Sequence, residues 1–283
     1  MSAMFFQSFD APAKLNLTLT LLNCRPDGYH NIQTIFQFID LADSVDIAIQ
    51  PQGEIKLITP VANIPFDHNL VIRAANLLKQ ATGTKKGAFI RLIKRIPIGS
   101  GLGGGSSDAA TTLIALNHLW QTHLSRNALM KLAIKLGADI PVFIFGKNAI
   151  GEGIGEQLTA CTLPKKWYAL LCPPISISTK TVFQQWKLTR RTAPAIIPNP
   201  LTPNLWVNDL ESVVRNQYKI VDQAMLALSA YGTARMTGSG SCVFLACAYK
   251  AVAQRVVVAC QGNWKSYLAR GLAQHPLVDW VNE

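Results

Sequence analysis

Apolar and polar residues alternate along "KLNLTLTLLN" (Lys14 to Asn23), a period of two that predicts a strand, and "RPDGYH" ends it with turn residues. "VDIAIQ" and "EIKLITP" predict two more strands on either side of a turn at Pro51 to Gly53. The period then changes. In "NLVIRAANLLKQATG" (Asn69 to Gly83), Val71, Ala74, Ala75 and Leu78 recur at helical spacing, and Gly83 supplies the stop. Alternation returns in "GAFIRLIKRIPI", which runs into a glycine-rich stretch. Beyond that stretch Ala109, Ala110, Leu113, Ala115, Leu116 and Trp120 form a helical apolar face. "SRNALMKLAIKLG" predicts a second helix, capped by Ser125 and closed by Gly137.

"DIPVFIF" predicts a short apolar strand, with Asp139 at the junction between the helix-ending glycine and that strand. Glycine turns follow, and a division is expected near Gly155, giving domains at 1–155 and 156–283. The second part carries a strand in "KWYALLCPP", a Pro-rich loop from Arg191 to Pro203 and a long helical pattern in "NDLESVVRNQYKIVDQAMLALSAYG". Further strands and a helix lie around "MTGSGSCVFLACAYKAVAQRVVVAC". Strands and helices segregate more than they alternate, which predicts an α+β fold, and 283 residues suffice for two domains.

Charge narrows the partners. Lys and Arg number 27 against 16 Asp and Glu, a net charge of +11 that favours anionic ligands. The basic residues are dispersed and lack an interleaved aromatic platform, so a nucleic-acid-binding module is the weaker reading and no nucleic-acid partner is expected. Six cysteines (Cys24, Cys161, Cys172, Cys242, Cys247, Cys260) form no C-x-x-C pair and read as thiols in a reducing compartment. No apolar run approaches the ~18 residues of a membrane span, and the N-terminus lacks a basic segment followed by an apolar core. A cytoplasmic protein without a membrane partner is expected, as a monomer or weak homodimer.

The candidate chemistry centres on "IPIGSGLGGGSSDAATT" (Ile96 to Thr112), with glycines at 99, 101, 103, 104 and 105 between a predicted strand and a predicted helix. Backbone N–H groups freed by glycines, beside a helix N-terminus, can surround phosphate oxygens. A Walker A loop is excluded because no lysine follows the glycines. The Rossmann pattern matches literally at Gly99, Gly101 and Gly104. Its context fails, since helix follows helix and no acid lies ~20 residues on.

The stretch Pro97-Ile98-Gly99-Ser100-Gly101-Leu102-Gly103-Gly104-Gly105-Ser106-Ser107 resembles the second motif of the GHMP kinases, P-x-x-x-G-L-G-S/G-S/G-S/A. "PAKLNLTL" and "MTGSGSCVF" resemble two further signatures of that superfamily, in the expected order. The resemblance implies a ribosomal S5 domain 2-like N-terminal domain, a ferredoxin-like C-terminal domain, and ATP with Mg2+ as the phosphoryl donor. "NCRPDGYHNIQTIFQFIDLADSVDI", "LGADIPVFIFG" and "TGSGSCVF" narrow it to the branch acting on a small-molecule cytidine diphosphate alcohol. A homoserine or mevalonate kinase-like activity is the alternative.

Carried onto this chain, the resemblance makes Asp139 the catalytic base and places Lys14 beside it, acting on the base, the acceptor hydroxyl or the transferring charge. Asn16, two residues on, shares a strand face with Lys14 and is either a substrate contact or a structural amide. Ser107 is the expected metal ligand, and Asp108 stands beside it near the helix start. "DGYH" becomes the base-recognition element, with Tyr29 to stack and His30 to hydrogen-bond. Phe183 stands opposite, and Thr179 and Thr181 are candidate substrate contacts. The third motif, Thr237, Gly238, Ser239, Gly240 and Ser241, is implied to close over the glycine loop.

Overall fold

The computed structural model describes residues 5–60, 64–186, 206–260 and 262–282, so the Pro-rich loop expected at 191–203 lies outside the described residues. Its first feature is a long antiparallel hairpin, β1 (Gln7–Cys24) against β2 (His30–Gln50), paired from Gln7↔Ile47 to Cys24↔His30 with register shifts after Pro12, Asn16 and Leu21. The strand predicted from Lys14 to Asn23 is the second half of β1. From Ala11 to Leu21 every residue of β1 is buried, polar ones included, because helices cover one face and a second sheet covers the other. Thus the alternation that predicts a half-buried strand marks one buried on both sides. It sorts apolar side chains from the polar ones that build a site.

β4 (Gly87–Ile93) pairs with one end of β2, and β3 (Ile55–Leu57) adds to β4 in parallel. β5 (Ala149–Glu152) pairs with the other end of β2 and continues into β6 (Gln157–Ala160). The expected domain division at 155/156 runs through the turn of this last hairpin, whose two strands both belong to the first sheet. We propose a division between Ala160 and Trp167 instead.

Helices α1 (Leu70–Thr82), α2 (Gly104–Leu119), α3 (Arg126–Ala133) and α4 (Ile140–Phe145) cover the first sheet. Gly83 ends α1 in the left-handed region, and the Ser125 hydroxyl caps α3 by accepting from the Ala128 N–H. α4 corrects the strand expected in "DIPVFIF". A short, wholly apolar run carries no period, and this one is a buried helical turn-and-a-half opened by Pro141 and closed by Gly146 at φ 77°. Asp139 therefore opens a helix. The chain end returns to this layer: Leu277 and Val281 join its core, and the Arg126 guanidinium donates to the carbonyls of Ile144, Val278 and Val281.

The second sheet is antiparallel, in the order β10-β7-β9-β8, from β7 (Trp167–Cys172), β8 (Ala234–Met236), β9 (Val243–Cys247) and β10 (Lys265–Arg270). Between β7 and β8 come α5 (Thr179–Gln185), α6 (Glu211–Gln217) and α7 (Lys219–Ser229), while α8 (Lys250–Ala259) joins β9 to β10. This is the split β-α-β arrangement of ferredoxin-like folds, and the whole is the expected two-domain α+β architecture. The long helical pattern at 208–232 is broken at Tyr218. Leu15, Leu17, Ile35 and Ile39 of the first sheet meet Tyr168, Leu170 and Phe244 of the second in a shared core, with Leu102 of the glycine loop plugged into it.

Candidate active site

A cavity of about 920 Å³ opens where the two sheets meet, and the glycine loop forms its middle wall. Two glycines there are required by geometry. Gly101 sits at φ 79°, and a Cβ on it would lie 2.3 Å from the Thr237 carbonyl oxygen. Gly103, at φ 73°, is the N-cap of α2, and a Cβ on it would come within 3.0 Å of both Lys14 Cε and Phe143. The loop is thereby pressed between the third motif and the Lys14 side chain. The Lys14 N–H donates to the Leu102 carbonyl, and the Cys242 N–H donates to that of Ser100.

Lys14 is 2% exposed, yet its Nζ reaches the cavity, 3.4 Å from Asp139 Oδ2. That ammonium also donates to Asn16 Oδ1 and lies 5.7 Å from the Phe36 ring centroid. The Asn16 amide donates one of its N–H groups in turn to Thr34 Oγ1, and Asn16 also lines the cavity. Asp139 is the contrast: its carboxylate is 45% exposed and makes no capping bond to α4. A fixed buried cation thus faces an accessible carboxylate.

The third motif is tied down from three sides. Thr237 Oγ1 accepts from the Asn16 N–H, Ser241 Oγ donates to the carbonyls of Pro173 and Ile175, and Asn208 Nδ2 donates to those of Met236 and Gly238. Ser239 faces the cavity and shares a 2.8 Å hydrogen bond with Thr179 Oγ1.

Sequence reading missed the network beneath the loop. Lys94, at the exit from β4, forms ion pairs with Asp43 and with Asp108 Oδ2, the latter at 2.6 Å. Asp43 Oδ1 also accepts from the N–H groups of Arg95 and Ile96. Burial pulls the Lys94 ammonium down, but Asp108 and Asp43 outweigh it and hold it above its ordinary value. For Asp108, burial and the neighbouring Asp43 charge prevail over Lys94 and push the carboxyl up to about 7. Its Oδ1 has no hydrogen-bond partner among the described residues. Asp108 stands one turn inside α2, so it serves the Lys94 cluster rather than the first-turn N–H groups.

At one end of the cavity His30 packs against Phe183, with ring centroids 5.5 Å apart, and edge-on against Trp186 at 6.1 Å. Burial holds the His30 imidazole below its ordinary value. Tyr29 stands 56% exposed on the same rim, and its N–H donates to Asp27 Oδ1. At the opposite end Leu70, Val71, Leu92 and Pro97 make an apolar wall beside Asn69. Five residues singled out from sequence stay off the cavity. Leu102 is core, Thr237 and Ser241 are buried supports, Thr181 does not line it, and Ser107 is buried with its hydroxyl donating to the Pro12 carbonyl. That bond points the Ser107 hydroxyl proton at the Pro12 carbonyl, whereas Ser106 lines the cavity.

The GHMP kinases N terminal domain matches residues 69–147, and the GHMP kinases C terminal domain matches residues 199–266. The 4-diphosphocytidyl-2-C-methyl-D-erythritol kinase of Nitrosospira multiformis is 47% identical over 279 residues, covering 98% of this chain and 95% of the relative. The chain belongs to the 4-diphosphocytidyl-2-C-methyl-D-erythritol kinase family. The enzyme of that name from Neisseria meningitidis serogroup C is 46% identical, over 96% of this chain and 97% of the relative. A crystal structure of 4-(cytidine 5'-diphospho)-2C-methyl-D-erythritol kinase superposes with a TM-score of 0.83 at 31% identity, over 94% of this chain and 99% of that one. Homoserine kinase from Cytophaga hutchinsonii shares the fold, with a TM-score of 0.73 at 17% identity over 97% of each chain. This GHMP kinase is therefore an ATP-dependent small-molecule kinase. No described helix is long and apolar enough to cross a membrane.

Proposed function

We propose that the protein transfers the γ-phosphoryl group of ATP to the hydroxyl at position 2 of 4-diphosphocytidyl-2-C-methyl-D-erythritol, a step of non-mevalonate isoprenoid precursor synthesis. The observation that carries this reading is the Lys14–Asp139 pair at 3.4 Å, in one cavity with the glycine loop and the His30–Phe183 contact. The cytosine lies against Tyr29, His30 and Phe183, and the adenine against the apolar wall at Leu70 and Leu92. The triphosphate lies along the glycine N–H groups and the N-terminus of α2.

Phosphoryl transfer needs aligned reactants and placed charge more than covalent help from the protein. The acceptor oxygen bonds to the γ-phosphorus, the bond to the β–γ bridging oxygen breaks to release ADP, and the hydroxyl proton passes to Asp139. Lys14 sets its positive charge 3.4 Å from Asp139 and favours the charge spreading over the moving phosphoryl group. Asn16 orients Lys14 by accepting from its ammonium.

Mg2+ binds through one or two protein oxygens plus phosphates and waters. The unpartnered Asp108 Oδ1, one turn inside α2, and the Ser106 hydroxyl make a donor set that would hold it. Bound there, the ion would neutralise donor phosphate charge. A coupled ADP-release assay on three acceptors tests the assignment. Turnover with the cytidine diphosphate alcohol, and little with homoserine or mevalonate, is expected. Equal or better turnover of either small acceptor overturns it.

A further inference from the structure

Three lysines line the cavity, and two of them are already neutralised. Lys14 faces Asp139, and Lys94 lies between Asp43 and Asp108. Lys180 lines the same cavity and forms no ion pair among the described residues. Its place on α5 is fixed on both sides. Thr179, just before it, shares the 2.8 Å hydrogen bond with Ser239, and Phe183, one turn after it, packs against His30. Lys180, itself exposed, is therefore held on the stretch of wall between the third motif and the aromatic end.

On the reading proposed above, the acceptor's cytosine sits at that aromatic end and its reacting hydroxyl sits at Asp139. The segment joining them is a diphosphate, which must cross the stretch of wall in between. Burying its charge in an enclosed site without a counter-charge is costly. The loop N–H groups are taken by the donor, and the other two lysines are compensated within the protein. A flexible ammonium free of carboxylates suits a diphosphate whose oxygens need a point charge and not a planar fork.

We propose that Lys180 is a specificity-determining residue of this kinase, its ammonium taking the acceptor's diphosphate and so selecting diphosphate-linked over monophosphate-linked or uncharged alcohols. This inference rests on the cytidine diphosphate alcohol being the acceptor.

Calorimetry on the full chain with cytidine diphosphate and cytidine monophosphate separates the two claims. Wild type should bind the diphosphate more tightly than the monophosphate. Lys180→Ala should weaken diphosphate binding by about 5- to 30-fold and leave monophosphate binding nearly unchanged. In turnover the same variant should raise the acceptor KM by a similar factor, spare kcat and the KM for ATP, and flatten the salt dependence of kcat/KM. Lys180→Arg should restore most of the loss. Lys131→Ala, on the exposed face of α3, should change neither affinity. The inference is overturned if Lys180→Ala keeps the full preference for diphosphate over monophosphate. A wild type that binds neither nucleotide overturns the acceptor reading itself, and the role of Lys180 with it.

Discussion

The two ends of the cavity are built differently. Around the glycine loop, polar groups are buried and bonded: Lys14 to Asn16 and Asp139, Asn16 to Thr34, Asp43 to Lys94 and two backbone N–H groups. At the aromatic end Tyr29 is 56% exposed, and His30, Phe183 and Trp186 meet through ring contacts, from the start of β2 in the first domain and from α5 and its C-cap in the second. The difference follows from what each end must do. Charge stabilisation in a transition state requires groups held before the substrate arrives. A flat base needs faces and an edge, and rings supply both at low entropic cost.

The sharpest way to break this contrast is at the reacting carboxylate. Asp139→Asn keeps shape and exposure but removes the proton acceptor and its charge, so kcat should fall by ~10²–10⁴ with little change in either KM. Single-turnover measurements on a contaminant-free preparation check it. A drop confined to KM would move the base elsewhere.

Next in size is the buried network. Asp43→Ala removes one of the two carboxylates on Lys94, leaving Asp108 alone beside it, and takes the acceptor from the Arg95 and Ile96 N–H groups beneath the loop. Breaking such a buried pair costs about 3–5 kcal/mol, to be read from urea unfolding. Tyr29→Ala at the other end should leave stability within about 0.5 kcal/mol of wild type. Similar losses for both variants would erase the distinction between a rigid end and an adaptable one.

How much of this was legible in the sequence follows the same division. The glycine loop, the Gly83 stop and the Ser125 cap were readable because each signal is local: a required φ, an orphan N–H, a period of 3.6. The first half of β2 was not, because Gln33, Thr34 and Gln37 are buried among its apolar residues by tertiary packing. Asp43 reaches Lys94 across 51 positions, and Asn208 reaches Gly238 across 30, distances over which no periodicity speaks. Ser107 reads as the metal ligand in the motif, because spacing alone does not say which serine faces the cavity. With α2 beginning at Gly104, one residue turns the side chain by about 100°, from the cavity to Pro12. Trp186 was missed although it follows Phe183 at i+3.

At the acceptor end the expected losses are smaller and confined to one substrate. Stacking on an aromatic contributes ~1–3 kcal/mol per base, so Phe183→Ala or Tyr29→Ala should weaken acceptor binding by roughly 5–150-fold. ATP affinity should barely move, since the proposed donor site is the glycine loop and not the aromatic end. A uridine analogue should also bind poorly, because its edge mispairs with His30 or the backbone. Equal use of cytidine and uridine substrates would remove this pocket from base recognition.

The smallest effect probes the seam between the two ends. Thr179 Oγ1 and Ser239 Oγ share the hydrogen bond that ties α5, which carries Phe183, to the third motif, which packs on the glycine loop. If the acceptor end is held in place by this contact, Thr179→Val and Ser239→Ala should each weaken acceptor binding, and the double variant should lose less than the sum. A neutral, partly exposed hydrogen bond contributes about 0.5–1.5 kcal/mol net, which sets the size of the coupling in a double-mutant cycle. The cycle is run on acceptor affinity and, separately, on ATP affinity. Coupling in the first and none in the second means that the seam serves the adaptable end alone. Equal coupling in both would mean that α5, the third motif and the glycine loop move as one body, and the contrast between the two ends would then describe their surfaces but not their mechanics.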